Sequence, residues 1–327
     1  MWKRALAGLA LAGIILFLLL RKVDTHQVWT VLRGARWAIL PLVSVCGCLS
    51  VFLKGERWAI ALGAHSGERP RRRVFAATMI GVAANYLLPA RLGDILRVLV
   101  LRKHNDVPAT RGLLASWSSQ AFDLLAVAVL LLAGAAAGEG VASGATVALV
   151  LAVVLGGVAV VGLLARQPAR LVGWANGLCS LLPKRLAAKA QPLVEHAIDG
   201  LRFLGKPVVL GWVVLFTVVI WIVEVTSMWL ALYAFHIAVR PAAAGLLVAA
   251  IGLSFALPLT PGNIGTYQLI AILVLGRFGI ERDQAFAFGI GFQAYALVTT
   301  VLLGLVLFQR EGLSFETLGK AGEAQAP

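Results

Sequence analysis

Apolar residues in this chain gather into long blocks separated by short, mostly basic stretches. Six of these blocks, about 5–20, 37–53, 113–135, 146–165, 207–235 and 284–308, approach or exceed the roughly 20 apolar residues that cross a bilayer as a helix. Two further apolar regions, 74–101 and 243–276, are interrupted by Pro and Gly. Each is expected to hold two half-length helices that enter and leave on the same side. Backbone freed by such breaks cannot face lipid, so it must be buried in protein or line a wet cavity.

The interruptions echo each other. Pro89-Ala90-Arg91-Leu92-Gly93-Asp94 and Pro261-Gly262-Asn263-Ile264-Gly265-Thr266 lie 172 positions apart, and Gln120-Ala121-Phe122 and Gln293-Ala294-Tyr295 lie 173 apart. Matching helix breaks in two hydrophobic halves point to a transport site built by an internal repeat.

Loop charge supplies orientation. Segment 54–73 holds Lys54, Arg57, Arg69 and Arg71 to Arg73, and segment 166–206 holds seven Lys and Arg, whereas 136–145 holds no basic residue. Basic loops remain in the cytoplasm, which places both termini inside. The halves then run in opposite directions, as inverted repeats about 5–135 and 146–308. Arg21, Lys22, Arg33 and Arg36 would fall outside, against the rule. Either they snorkel from an interfacial helix or the first two spans are misplaced. Leu171, Trp174, Leu178, Leu181 and Leu182 recur at near-helical spacing, so 166–206 reads as an amphipathic connector on the inner leaflet, or as a linker helix packed on the protein. Residues 1–310 then form one transmembrane domain, and 311–327 a disordered polar tail.

Composition agrees with this picture and removes alternatives. Among 327 residues, 60% are hydrophobic and 13% charged, against about 25% charged in soluble domains. Mean hydropathy is +0.89. The net charge of +14 fits anionic headgroups, and no nucleic-acid module accompanies it. Lys3 and Arg4 before the first apolar block imitate a signal peptide, but Arg21-Lys22 follows with no cleavage site, so the segment reads as a retained helix. Cys46, Cys48 and Cys179 lack the spacing of a disulfide framework or metal site and read as small buried hydrophobes. The five histidines are scattered, and no nucleophile elbow, HExxH or P-loop occurs. No metal, cofactor or catalytic activity is expected.

The polar residues inside apolar blocks are the candidate site. Arg91, Asp94 and Arg97 recur at a spacing of three, on one helix face, after Asn85 and Pro89. A charge near the bilayer centre costs about 2.5–3.5 kcal/mol on insertion scales. Guanidinium groups form a planar fork suited to phosphate. The other reading is an interfacial ion ladder in which Asp94 neutralises two arginines. The second break offers Pro261, Gly262, Asn263, Gly265 and Gln268, nearly without charge. Glu224 is the most isolated acid, and the favoured reading is a carboxyl held protonated by desolvation, with a proton carrier or a cationic partner as the alternatives. Asp123 has the same readings. Arg57, with Gln120, Asp123, Glu224 and Gln293, is a candidate helix-interface or coupling residue, and the two glutamines bond across the repeat interface or join helices.

These motifs resemble a known family. Asn85-Tyr86-Leu87-Leu88-Pro89-Ala90-Arg91-Leu92-Gly93-Asp94-Ile95-Leu96-Arg97 is similar to the N-x-x-x-P-x-R-x-G-[DE]-x-x-R motif of the lysylphosphatidylglycerol synthase transmembrane region, or flippase-like domain. Thr260 to Gln268 resembles its T-P-G-G-x-G-x-x-E motif, and Arg57-Trp58 a further signature. The resemblance implies a bacterial inner-membrane protein that moves lipids or lipid-linked headgroups between leaflets, without the aminoacyl-transferase domain of the best-known member. Its partners would be lipids with anionic or phosphate-bearing headgroups, a separate lipid-modifying transferase, or a second copy of the chain. Asn263 stands where the motif has Gly, Gln268 where it has Glu, and Gln120 and Gln293 where relatives carry Arg. An acid and two bases are thus replaced by neutral amides. The expectation is an all-α translocase with about six full spans and two re-entrant hairpins. The alternative is a non-catalytic subunit that presents a glycolipid or isoprenoid-phosphate lipid to a transferase.

Overall fold

The computed structural model describes residues 13, 15–21, 23–62, 71–87, 92–104, 109–138, 152, 156, 206–256 and 260–313. The expected span at 146–165, except residues 152 and 156, the connector at 166–206 (save Lys206) and the tail after 313 lie outside the described residues. Among those described, the chain is all-helical. In chain order the helices are α1 (Thr25–Gly34), α2 (Leu40–Ala61), α3 (Arg71–Leu87), α4 (Leu92–His104), α5 (Ala109–Gly138), α6 (Pro207–Ala234), α7 (Pro241–Ala256), α8 (Thr266–Gly276) and α9 (Arg282–Arg310). Short 3-10 turns occupy Trp37–Ile39 and Pro261–Asn263.

Among the described residues four helical stretches are long and apolar enough to cross a membrane: Trp37–Ala61, Ala115–Gly134, Pro207–Ala234 and Arg282–Arg310. Much of their surface is apolar and uncovered, as at Val45, Leu215, Val218, Ile222, Leu302 and Leu305. Hydrocarbon is the natural solvent for such faces. The interrupted regions do form pairs of shorter helices, α3 with α4 and α7 with α8.

Local chemistry sets several boundaries. Proline lies in the first turn of α2 and of α6 and begins α7, where its missing N–H removes no helical bond. Asp24 caps α1 by accepting from the backbone of His26 and Gln27. Around α1, Arg33 stacks on Trp29 and Arg36 on Tyr233, with cation-to-ring distances of 4.8 and 4.6 Å. The cations of residues 33 and 36 thus lie over aromatic faces.

The long helices α2 and α6 pack along their lengths. Ser227 donates to the Val43 carbonyl, Ser50 and Lys54 reach Glu224, and Arg57 reaches Thr217. Numbers rise on one helix as they fall on the other, so α2 and α6 are antiparallel. Further contacts join α2 to α3, α3 to α4, α4 to α5 and α5 to α7; in the other half α6 meets α7, α7 meets α8, α8 meets α9 and α9 meets α3. One buried apolar cluster centres on Phe235, Leu247, Ala271 and Phe288, and another on Trp58, Leu62, Ile80, Val98 and Leu101.

Small residues allow the closest helix approaches. A Cβ on Gly81 would stand 2.8 Å from the Gly93 carbonyl oxygen, and one on Gly93 would collide with the Gly81 carbonyl and come within 2.6 Å of Asn85 Oδ1. The pair α3–α4 is therefore in backbone contact. Overpacking such a contact costs about 1–3 kcal/mol. Gly93→Ala should lower the thermal midpoint in detergent, whereas Gly211→Ala, with nothing within 4 Å of its Cβ, should not. Thermal unfolding followed by size-exclusion fluorescence checks both.

Candidate functional site

Among the described residues three ion pairs join helices: Arg57–Asp123, Lys54–Glu224 and, with its arginine mostly exposed, Arg71–Glu56; the first two line the interior, and neither was expected from loop charge. Lys54 and Arg57, counted in the sequence as loop cations, lie inside α2. The helix runs eight residues past the predicted end at 53 because these side chains turn inward to acids. Arg57 is 2% exposed. Its two terminal nitrogens donate to the two oxygens of Asp123 on α5 at 2.9 and 2.7 Å, and Nη1 also donates to Thr217 Oγ1 on α6 at 2.8 Å. Trp221 Nε1 adds a bond to Asp123 Oδ1 at 3.2 Å. The planar fork explains why arginine stands here: two parallel bonds fix both helices at once.

The second pair is Lys54 with Glu224, 2.7 Å apart. Ser50 donates to the same oxygen, Oε1, at 2.6 Å. The expectation that Glu224 is a lone protonated carboxyl is corrected: its partner is a lysine 170 positions away in sequence.

The remaining predicted residues fall into two further groups. At the first break, Asp94 and Arg97 lie one turn apart on α4, with 3.8 Å between charged atoms. Arg97 stacks 4.8 Å above the buried Trp58 ring and donates to Ser116. Gln120 donates to Asp94 at 2.9 Å, and Asn85 Oδ1 accepts the Gly93 N–H at 2.9 Å. Pro89 and Arg91 lie outside the described residues.

At the second break the backbone takes positive φ at Gly262, Asn263 and Gly265 (58°, 55° and 82°). Glycine adopts this region without strain, and asparagine tolerates it better than most residues. An amide ladder holds the turn. Gly265 N–H donates to Gln268 Oε1 at 2.8 Å, Gln268 Nε2 donates to Gln293 Oε1 at 2.7 Å, and Gln293 Nε2 donates to the Gly262 carbonyl at 2.8 Å. Asn263 Nδ2 donates to Ser254 at 3.1 Å. These bonds of Gln120 and Gln293 reach back from a long helix to the break of its own half, not across to the other half.

A cavity of about 430 Å³ opens between α2, α3 and α5 to α9. Its wall includes Lys54, Asp123, Glu224, Asn85 and Gln293, together with Tyr86, Tyr267, Tyr295 and Trp221. Arg97 and Asp94 are not on it. The two breaks meet beside this space: the Tyr86 carbonyl lies 3.2 Å from where a Gly262 Cβ would be, and the Tyr86 ring packs edge-on against Phe255. Tyr267 is 5% exposed and its hydroxyl has no hydrogen-bond partner among the described residues. The tyrosines went unnoticed in the sequence, although the chain has only four and three of them line the cavity. Volume and composition suit a small ligand: mostly apolar walls with a few placed polar groups. Among the described residues no cluster of three or more His, Cys, Asp or Glu could hold a metal ion.

Residues 5–304 match the family described as the lysylphosphatidylglycerol synthase TM region. The chain is also similar to the glycosyltransferase AglD of Haloferax volcanii, with 27% identity over 301 residues, covering 80% of this chain and 47% of that protein. The chain thus spans about half the length of this curated relative. No solved structure matches.

Removing one partner of a buried ion pair leaves the other charge uncompensated, at about 3–5 kcal/mol. Arg57→Ala should therefore destabilise strongly, Arg57→Lys should recover only a fraction because lysine lacks the fork, and Arg57→Ala with Asp123→Ala should cost less than the two single changes summed. A double-mutant cycle of unfolding free energies in detergent measures the coupling. At the amide ladder, Gln268→Glu replaces the donor that faces Gln293 Oε1 and the Gly289 carbonyl with an acceptor. A loss of about 1–3 kcal/mol is expected, with recovery when Gln293→Arg is added; the same unfolding assay reads both.

Proposed function

The chain belongs to the lysylphosphatidylglycerol synthase TM-region family, and on that footing we propose that it is a translocase carrying a phosphate-bearing lipid or lipid-linked headgroup between the leaflets of a cytoplasmic membrane. The observation that carries this reading is the polar cavity where two helix breaks meet inside a bundle of apolar helices. A headgroup crossing hydrocarbon needs such a surface, while its acyl chains can remain in lipid.

The packing favours two inverted repeats. Contacts α2–α3, α3–α4, α4–α5 and α5–α7 have counterparts in α6–α7, α7–α8, α8–α9 and α9–α3. The corresponding spans α2 and α6 are antiparallel. On this reading α3–α4 and α7–α8 are re-entrant hairpins that enter from opposite faces, and binding sits at their shared interface. Arg71, Arg72 and Arg73, all exposed at the start of α3, mark the cytoplasmic side.

The residues divide their roles. Arg97 is already engaged by Trp58, Ser116 and Asp94, so it positions the first break. Arg91 is the residue to meet phosphate. In this reading the chain moves lipid and makes no covalent bond.

A second reading is favoured by one observation. AglD is named a glycosyltransferase and is about twice as long as the region matched here. A domain of this kind would then present a lipid substrate to a transferase without moving it across the bilayer.

Arg91→Ala should reduce leaflet exchange of a fluorescent phospholipid in proteoliposomes at least tenfold, with the thermal midpoint unchanged. Dithionite quenching of the outer leaflet provides the measurement. Unaltered exchange in the variant would refute the phosphate contact, and no exchange by the unaltered protein would favour the presenting role.

A further inference from the structure

Arg33, Arg36 and Arg240 take no part in the cavity or in either break. They stand at the end of the bundle opposite Arg71, Arg72 and Arg73, because α2 crosses between Arg36 and Arg71 and α6 runs antiparallel to it. Cations at this end run against the loop-charge rule, so something there must favour them. All three are exposed, and among the described residues none forms an ion pair. The described acids of this end, Asp24, Glu281 and Asp283, sit at the starts of α1 and α9, where the Asp24 N–H donates to Asp283. Arg33 and Arg36 lie at the other end of α1.

Four large rings share this end. Trp29, Trp37, Trp229 and Tyr233 are each about half exposed. Trp37 Nε1 donates to the Leu32 carbonyl at 3.1 Å and Trp229 Nε1 to the Val239 carbonyl at 2.9 Å, which fixes both rings. The helix beneath is fixed as well. Val31 and Leu32 of α1 pack on the buried cluster around Phe235, the His236 ring bonds the Gly34 carbonyl at 3.0 Å, and the Arg36 N–H donates to the Ala234 carbonyl at 2.8 Å. Trp29 and Arg33, one turn apart, are left facing outward. A guanidinium stacked on a ring uses its flat face, and the N–H donors in its plane stay open to phosphate oxygens. Tryptophan and tyrosine at the ends of spans sit at headgroup depth. An acidic protein would match the charge, but only a bilayer also gives the rings their solvent.

We propose that this corner, Arg33, Arg36 and Arg240 with Trp29, Trp37 and Tyr233, is a docking surface for anionic phospholipid in the leaflet at that end of the bundle. The guanidinium edges meet the phosphates, and the rings meet the glycerol and upper acyl region. This lipid is a resident neighbour and not the transported molecule, so the proposal does not depend on the cavity.

The test uses the full chain in nanodiscs of phosphatidylglycerol and phosphatidylcholine in equal parts, with identical acyl chains. Thr30, exposed on α1 one turn before Arg33, is replaced by the photoreactive residue benzoylphenylalanine. Illumination joins it to neighbouring lipid, and mass spectrometry counts the adducts of each class. The same replacement at Val218, exposed on α6, supplies the reference ratio. An arginine beside an anionic surface is favoured about fivefold, so the phosphatidylglycerol excess at position 30 should reach about that factor over the reference. Arg33→Gln with Arg36→Gln should return it to the reference, and Arg72→Gln with Arg73→Gln should leave it unchanged. In about 1 M salt, where the screening length is roughly 3 Å, the excess should also vanish; this arm decides should the Arg33–Arg36 variant fail to fold. A reference ratio at position 30 in the chain with all its arginines would overturn the proposal. So would the absence of lipid adducts there, which would leave an acidic protein as the occupant. An excess that survives the loss of both arginines, or the salt, overturns the ionic contact.

Discussion

A guanidinium almost sealed from solvent, in a bundle whose surroundings are hydrocarbon, can find its partners only on other helices. Arg57 does so through a two-bond fork to Asp123 and a third bond to Thr217. Three helices from both halves of the chain meet at this one side chain. Much of the polar architecture follows from that constraint. With α2 fixed against α6, Lys54 stands one turn away opposite Glu224. Asp123, held by Arg57 and Trp221, becomes a feature of the cavity wall instead of an isolated charge. In both pairs α2 supplies the base and a facing helix the acid, so each pair is neutral in itself.

The two breaks solve the same backbone problem with different chemistry. The first uses charge: Asp94 beside Arg97, with Gln120 reaching in from α5. The second uses amides, in a ladder from Gly265 through Gln268 and Gln293 to Gly262. The side-chain bonds described at each break come from its own half of the chain. Their asymmetry leaves the second break free of any group that titrates near neutrality. Translocation through it would need no proton at position 268.

The breaks were legible because Pro and Gly act locally: two prolines and two glycines within eight residues end a helix whatever surrounds them. The role of Gln293 was partly legible, since its counterpart recurs 173 positions earlier. Lys54 was misread, and Arg57 was counted in a loop although it was also a candidate interface residue, because counting basic residues assumes that each one meets water. Their inward direction depends on acids 66 and 170 positions away, and no local pattern encodes that. For the same reason Glu224 read as solitary. The tyrosines carried a usable signal in their scarcity and in the placement of Tyr86 and Tyr267 beside the breaks, but hydropathy treats them as ordinary wall.

The tips of the two broken helix pairs touch, with the end of α3 at Tyr86 resting on Gly262 and Phe255. That contact makes the cavity floor common property of both halves. Neither half can swing away by itself without opening a gap there, and neither can press inward without displacing the other. A displacement of one broken pair is therefore felt by the other, through the Tyr86 contact and through the α2–α6, α5–α7 and α9–α3 interfaces that also join the two parts of the chain.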